Sequence, residues 1–82
     1  MSEMLQHRER INHLDEMLMR LLEERFAIST AVGDFKRVNH LPILDAAREA
    51  AILMRAEQHG PEVVAVYETI LAQSRAVQER QS

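Results

Sequence analysis

The chain has 82 residues, a net charge of −3 and no cysteine, which bounds it to one small domain with neither disulfides nor thiolate metal sites. Acids and bases are interspersed, the aromatics are Phe26, Phe35 and Tyr67 alone, and no window is apolar enough to span a bilayer, so no nucleic-acid partner and no membrane partner is expected. Charges fill the N-terminal stretch MSEMLQHRER where a signal peptide needs an apolar run, so the expected location is cytoplasmic.

Alanine, leucine, methionine, glutamate and arginine abound, while only two glycines and two prolines punctuate the chain. That balance predicts an all-α fold, a single three-helix domain over 1–82 with helices at about 4–38, 44–58 and 62–79. No internal repeat or low-complexity segment interrupts it.

Within the first predicted helix, about Met4 to Val38, the residues Ile11, Leu14, Leu18, Leu21, Ile28, Val32 and Phe35 recur at alternating steps of three and four. Arg25 takes the one remaining place on that seam. A guanidinium set among apolar side chains requires an anion or acceptors there, because an unpaired buried charge is strongly unfavourable. Gly33, the only internal breaker, costs about 1 kcal/mol relative to alanine and does not end the helix. Such a helix is roughly 50 Å long, whereas a compact chain of this size is roughly 30 Å across. A lone chain would leave much of the seam in water, and a second copy packed alongside is the simplest remedy. An obligate homodimer is therefore expected.

Asn39, His40 and Pro42 stop the first helix. The second, Leu44 to about Gln58, is rich in alanine at positions 46, 47, 50, 51 and 56, side chains small enough for close helix approach. His59, Gly60 and Pro61 form a stop and restart. The third, about Glu62 to Glu79, carries an apolar stripe of Val63, Tyr67, Ile70, Leu71 and Val77, with Ser74 inside the stripe and Gln78 beside it.

Eight polar residues thus sit on or beside apolar stripes: Arg8, Arg25, Lys36, Asp45, Arg48, Glu49, Ser74 and Gln78. Arg25 and Lys36 share a helix face about 16 Å apart along the axis, so two long cationic side chains could clasp a small dianion. Asp45, Arg48 and Glu49 share another face, and Ser74 and Gln78 a third. Arg8 lies about 25 Å up the helix from Arg25, out of reach within one chain but deliverable by an antiparallel partner. Each residue also has an ordinary reading. Arg48 could form a surface ion pair of little weight with Asp45 or Glu49. Ser74 could bond back to its own helix, Lys36 could complement a helix C-terminus, and Arg25 could satisfy a glutamate in the bundle. The combination is the signal. His7, His13, His40 and His59 show no metal-ligand spacing with one another, and no phosphate loop or nucleophile motif is present, so no metal, cofactor or covalent chemistry is expected.

The segments RERINHLDEMLMRLLEERFAISTAVGDFK, LPILDAAREAAIL and SRAVQ resemble the all-helical, AroQ-type chorismate mutases. The resemblance is carried by Arg8, Leu14-Asp15, Arg25 ten residues after that aspartate, Lys36 eleven further, Pro42, Asp45 with Arg48 and Glu49, then Ser74 and Gln78. It implies an intertwined homodimer with two equivalent pockets and an isomerase of aromatic amino acid biosynthesis that rearranges chorismate to prephenate by a [3,3] sigmatropic shift. It further implies that Arg25 and the partner subunit's Arg8 hold the two substrate carboxylates, one of them assisted by Ser74. Lys36 and Gln78 would address the ether oxygen whose bond breaks, Asp45 and Glu49 would face the ring hydroxyl, and Arg48 would line the site. Arg25, Lys36, Glu49 and Gln78 are the implied catalytic set. The interval from Glu49 to Ser74 is shorter than in the family by roughly two helical turns, a departure that admits an activating partner enzyme. Isochorismate pyruvate lyase and 4-amino-4-deoxychorismate mutase activities remain open on the same fold, as does a non-catalytic dimerisation module that binds a metabolite.

Overall fold

Two interruptions, at 39–45 and 58–60, divide the chain into three helices. The computed structural model describes residues 2–80 and places α1 at Glu3–Val38, α2 at Ala46–Glu57 and α3 at Pro61–Glu79, with no strand among the described residues. The fold is all-α. Positions 1, 81 and 82 of the expected domain lie outside the described residues.

Each helix end has a local cause. α1 starts one residue before the expected Met4 because the Ser2 hydroxyl accepts a hydrogen bond from the Leu5 N–H at 3.3 Å, capping the first turn. It closes with His40 in the left-handed region (φ 57°). There the Leu41 and His40 N–H groups donate to the Lys36 and Arg37 carbonyls at 2.8 and 3.3 Å, the paired bonds that satisfy orphan carbonyls at a helix end. α2 begins at Ala46 and not at Leu44, because Asp45 is its N-cap, with Oδ1 accepting from the Arg48 N–H at 3.1 Å. A capping residue must itself stay outside helical dihedrals, which shortens the helix by two residues at that end. Gly60 takes φ 111°, a conformation that glycine reaches without a side-chain clash, and Pro61 opens α3 at the first helical position, one residue before the expected Glu62.

α3 is the shared neighbour, packing on α1 on one side and on α2 on the other. The buried apolar residues, Ile52 and Ala56 of α2 and Ile70 and Leu71 of α3, form a very small core. From α1 the buried residues are Ser29 and Gly33. A Cβ at Gly33 would stand 2.6 Å from both the Cα and the carbonyl oxygen of Gln78, so only glycine lets the two backbones approach this closely.

Most of the apolar seam on α1 is not where the helix packs on its own chain. Ile11, Leu14, Leu18, Leu21, Ile28 and Phe35 are each more than half exposed. The side of α1 covered within the chain carries Leu22, Phe26, Ser29 and Gly33, one step round the helix. Small residues allow α3 to approach there, and the larger seam residues are left outward. The long dimension of the chain is 58 Å and its radius of gyration 16.1 Å, against about 12 Å for a compact chain of this length. Among the described residues no helix is long and apolar enough to cross a membrane.

Candidate active site

Because α1 and α2 both pack on α3 and not on each other, a cleft of about 240 Å³ opens between them. Into it project Arg25 and Lys36 from α1, Asp45, Arg48 and Glu49 from the start of α2, and Ser74 and Gln78 from α3. Ile28, Val32, Ile43, Ile52 and Leu71 supply apolar wall between them. Arg8 is the one candidate that the chain does not bring there: it is exposed on the N-terminal part of α1, roughly 25 Å along the helix from Arg25.

Arg25 is tied down on both sides. Its Nη1 donates to Ser74 Oγ at 2.5 Å, and its guanidinium carbon lies 5.9 Å from the centroid of the Tyr67 ring, within range of a cation–π attraction. Ser74 is 5% exposed, and its hydroxyl serves the arginine. Lys36 Nζ donates to the Ile43 carbonyl at 2.7 Å and to Gln78 Oε1 at 2.9 Å. An ammonium carries three donors, so one N–H remains for a ligand. Since the oxygen of the Gln78 amide meets Lys36, its NH2 group is left as a donor as well.

The carboxylates are also partly engaged. Asp45 presents one oxygen to the α2 backbone, and Glu49 Oε1 pairs with Arg75 Nη1 across the α2–α3 contact. The ordinary reading of Arg48 as the local ion-pair partner of Glu49 is therefore replaced by a longer-range one. Three cations and two carboxylates line the cleft, giving it a net positive character suited to an anion. Among the described residues no group of three or more histidine, aspartate or glutamate side chains is placed to hold a metal ion.

Four contributors escaped sequence reasoning: Arg75, Tyr67 as an arginine platform, the Ile43 carbonyl and Gly33. Only Gly33 left a usable sign, since a lone glycine inside a helix commonly marks a close approach.

Residues 7–79, which include every candidate named above, match the family model described as chorismate mutase type II. The chain belongs to that family. Over 48 residues, 58% of its length, this chorismate mutase type II chain is 44% identical to the bifunctional chorismate mutase/prephenate dehydratase of Escherichia coli K12 and to that of Shigella flexneri. The match spans 12% of the length of those relatives. The chain is also similar in structure to a conserved hypothetical protein from Pyrococcus furiosus, with a TM-score of 0.85 and 35% identity over 96% of this chain and 100% of that one.

Proposed function

We propose that the chain is a chorismate mutase, converting chorismate to prephenate by a [3,3] sigmatropic shift, and that it works as a homodimer in which Arg8 of a second copy completes each cleft. The observation that carries this reading is the convergence of two bonded pairs, Arg25 with Ser74 and Lys36 with Gln78, on one cleft lined also by two carboxylates.

A pericyclic rearrangement needs no base, nucleophile or cofactor. It needs a folded substrate conformer and donors placed where charge develops. Arg25 grips one substrate carboxylate, already oriented by Ser74 and Tyr67, and the second copy's Arg8 grips the other, so the enolpyruvyl arm is held over the ring. Arg48 supports the same carboxylates. As the ether C–O bond lengthens, negative charge grows on its oxygen. The remaining N–H of Lys36 and the NH2 of Gln78 then bind that oxygen more tightly than in the ground state, which lowers the barrier. Asp45 and Glu49 each keep an oxygen available for the ring hydroxyl. The second copy is supported by the exposed seam on α1, whose size and continuity suit a helix partner better than water.

Incubation with chorismate, 4-amino-4-deoxychorismate and isochorismate, with products identified, tests the reading. Prephenate from chorismate is expected. Pyruvate released from isochorismate would instead make the protein a lyase, and binding without turnover of any of the three would make it a metabolite-binding module.

The assignment of Gln78 has its own test. An amide donates at any pH, whereas a carboxyl donates only when protonated, and an ordinary glutamate titrates near pH ~4.3. In Gln78→Glu the donor is therefore present below the carboxyl pKa and lost as pH rises through it. The activity of that variant is expected to climb toward acid relative to the parent, and a pH–rate profile superimposable on the parent's would remove Gln78 from the ether oxygen.

A further inference from the structure

Arg75 stands outside the cleft, yet its Nη1 reaches Glu49 Oε1, and both side chains are largely withdrawn from solvent, at 34% and 22% exposure. It follows Ser74 directly, so α3 turns it about 100° away from the cleft-facing serine and toward α2. We propose that Arg75 is a positioning residue that sets the substrate preference of this site: by holding Glu49 through one oxygen it fixes the other for a ring hydroxyl and cancels the carboxylate's attraction for an ammonium group at the same ring position. The inference rests on the mutase reading above.

Charge and geometry both support it. The cleft is lined by Arg25, Lys36 and Arg48 against Asp45 and Glu49, a net of one positive charge for a substrate that carries two carboxylates. Neutralising Glu49 from behind brings the chain's own contribution to two. A carboxylate gripped at one oxygen also keeps a single orientation, so the second oxygen needs no reordering when substrate arrives. An unpaired carboxylate in this place would draw a cation, and the 4-amino analogue of chorismate carries one where chorismate carries a hydroxyl.

The test compares kcat/KM for chorismate and for 4-amino-4-deoxychorismate in the parent, Arg75→Gln, Arg75→Lys, Glu49→Gln and the Arg75→Gln/Glu49→Gln double variant, all checked for helical content. For Arg75→Gln, kcat/KM on chorismate is expected to fall by about tenfold, and the preference for hydroxyl over amine by about a further tenfold. Arg75→Lys restores the charge and is expected to recover most of that preference. In the Glu49→Gln background, Arg75→Gln should add little, since the two act as one unit. Arg75→Met, which keeps the aliphatic stem, carries the same test if Arg75→Gln does not fold. An unchanged preference in a folded variant, or an equal loss with and without Glu49, overturns the inference while leaving the mutase reading intact. A parent protein that turns over neither substrate overturns both.

Discussion

Lys36→Met is expected to lower kcat/KM for chorismate by about 10³-fold, the upper end of what loss of one pre-aimed donor produces, because the lost donor is charged and sits against partly apolar walls. Lys36 Nζ is held by the Ile43 carbonyl and by Gln78 Oε1, so its third N–H is aimed before substrate arrives and little reorganisation accompanies the reaction. Methionine keeps the length and packing of the side chain without the ammonium, and helical content is expected to match the parent by circular dichroism. The same variant tests how the site is shared. Mixed with Arg8→Ala subunits, also expected to be nearly inactive, it should regain activity. A crossed dimer of one subunit of each kind has one cleft missing both groups and one cleft intact. Free exchange of subunits then restores roughly a quarter of the parent sites. Failure of the mixture to exceed the sum of its parts would confine each site to a single chain.

Gly33→Val is expected to destabilise the protein by about 3 kcal/mol. Alanine at this position already gains about 1 kcal/mol in helix propensity, but its Cβ would lie 2.6 Å from the Gln78 Cα and carbonyl oxygen. Backbone atoms cannot rotate aside as a flexible side chain can. α1 and α3 must then separate, and valine adds two methyl groups to the overlap. In a domain of this size the midpoint of thermal unfolding should drop by more than about 10 °C. Activity in the fraction that remains folded should fall as well, since the displaced backbone carries Gln78. A variant with an unaltered midpoint would show that the α1–α3 approach is looser than this contact requires.

Which features were legible in the sequence follows from the range of the interactions that fix them. The three helices could be read because their boundaries are written in short covalent signals: Pro42 beyond α1, Gly60 and Pro61 between α2 and α3. Spacings of three, four and eleven, properties of one helix at a time, sorted the seven candidates that line the cleft into three helix faces, and the family resemblance alone implied that the faces meet in one site. Which face of α1 meets α3 was not legible, since large apolar residues mark one side while Ser29 and Gly33, which carry no hydrophobic signal, mark the side that is covered. The Arg75–Glu49 and Lys36–Ile43 contacts were equally silent: each depends on how two segments cross, and nothing local to Arg75 distinguishes it from the other arginines. Asp45 shows how two readings overlap, for one residue both lines the cleft and caps the start of α2.

The unaccompanied N-terminal half of α1 has a thermodynamic corollary in the proposed dimer. A surface sheltered only by another molecule links folding to mass action, so resistance to heat should grow with the amount of protein dissolved. In that dimer each chain would hold seven parts of one catalytic centre and the eighth of another. Turnover per chain would then decline on dilution as copies drift apart, even with every covalent bond unchanged.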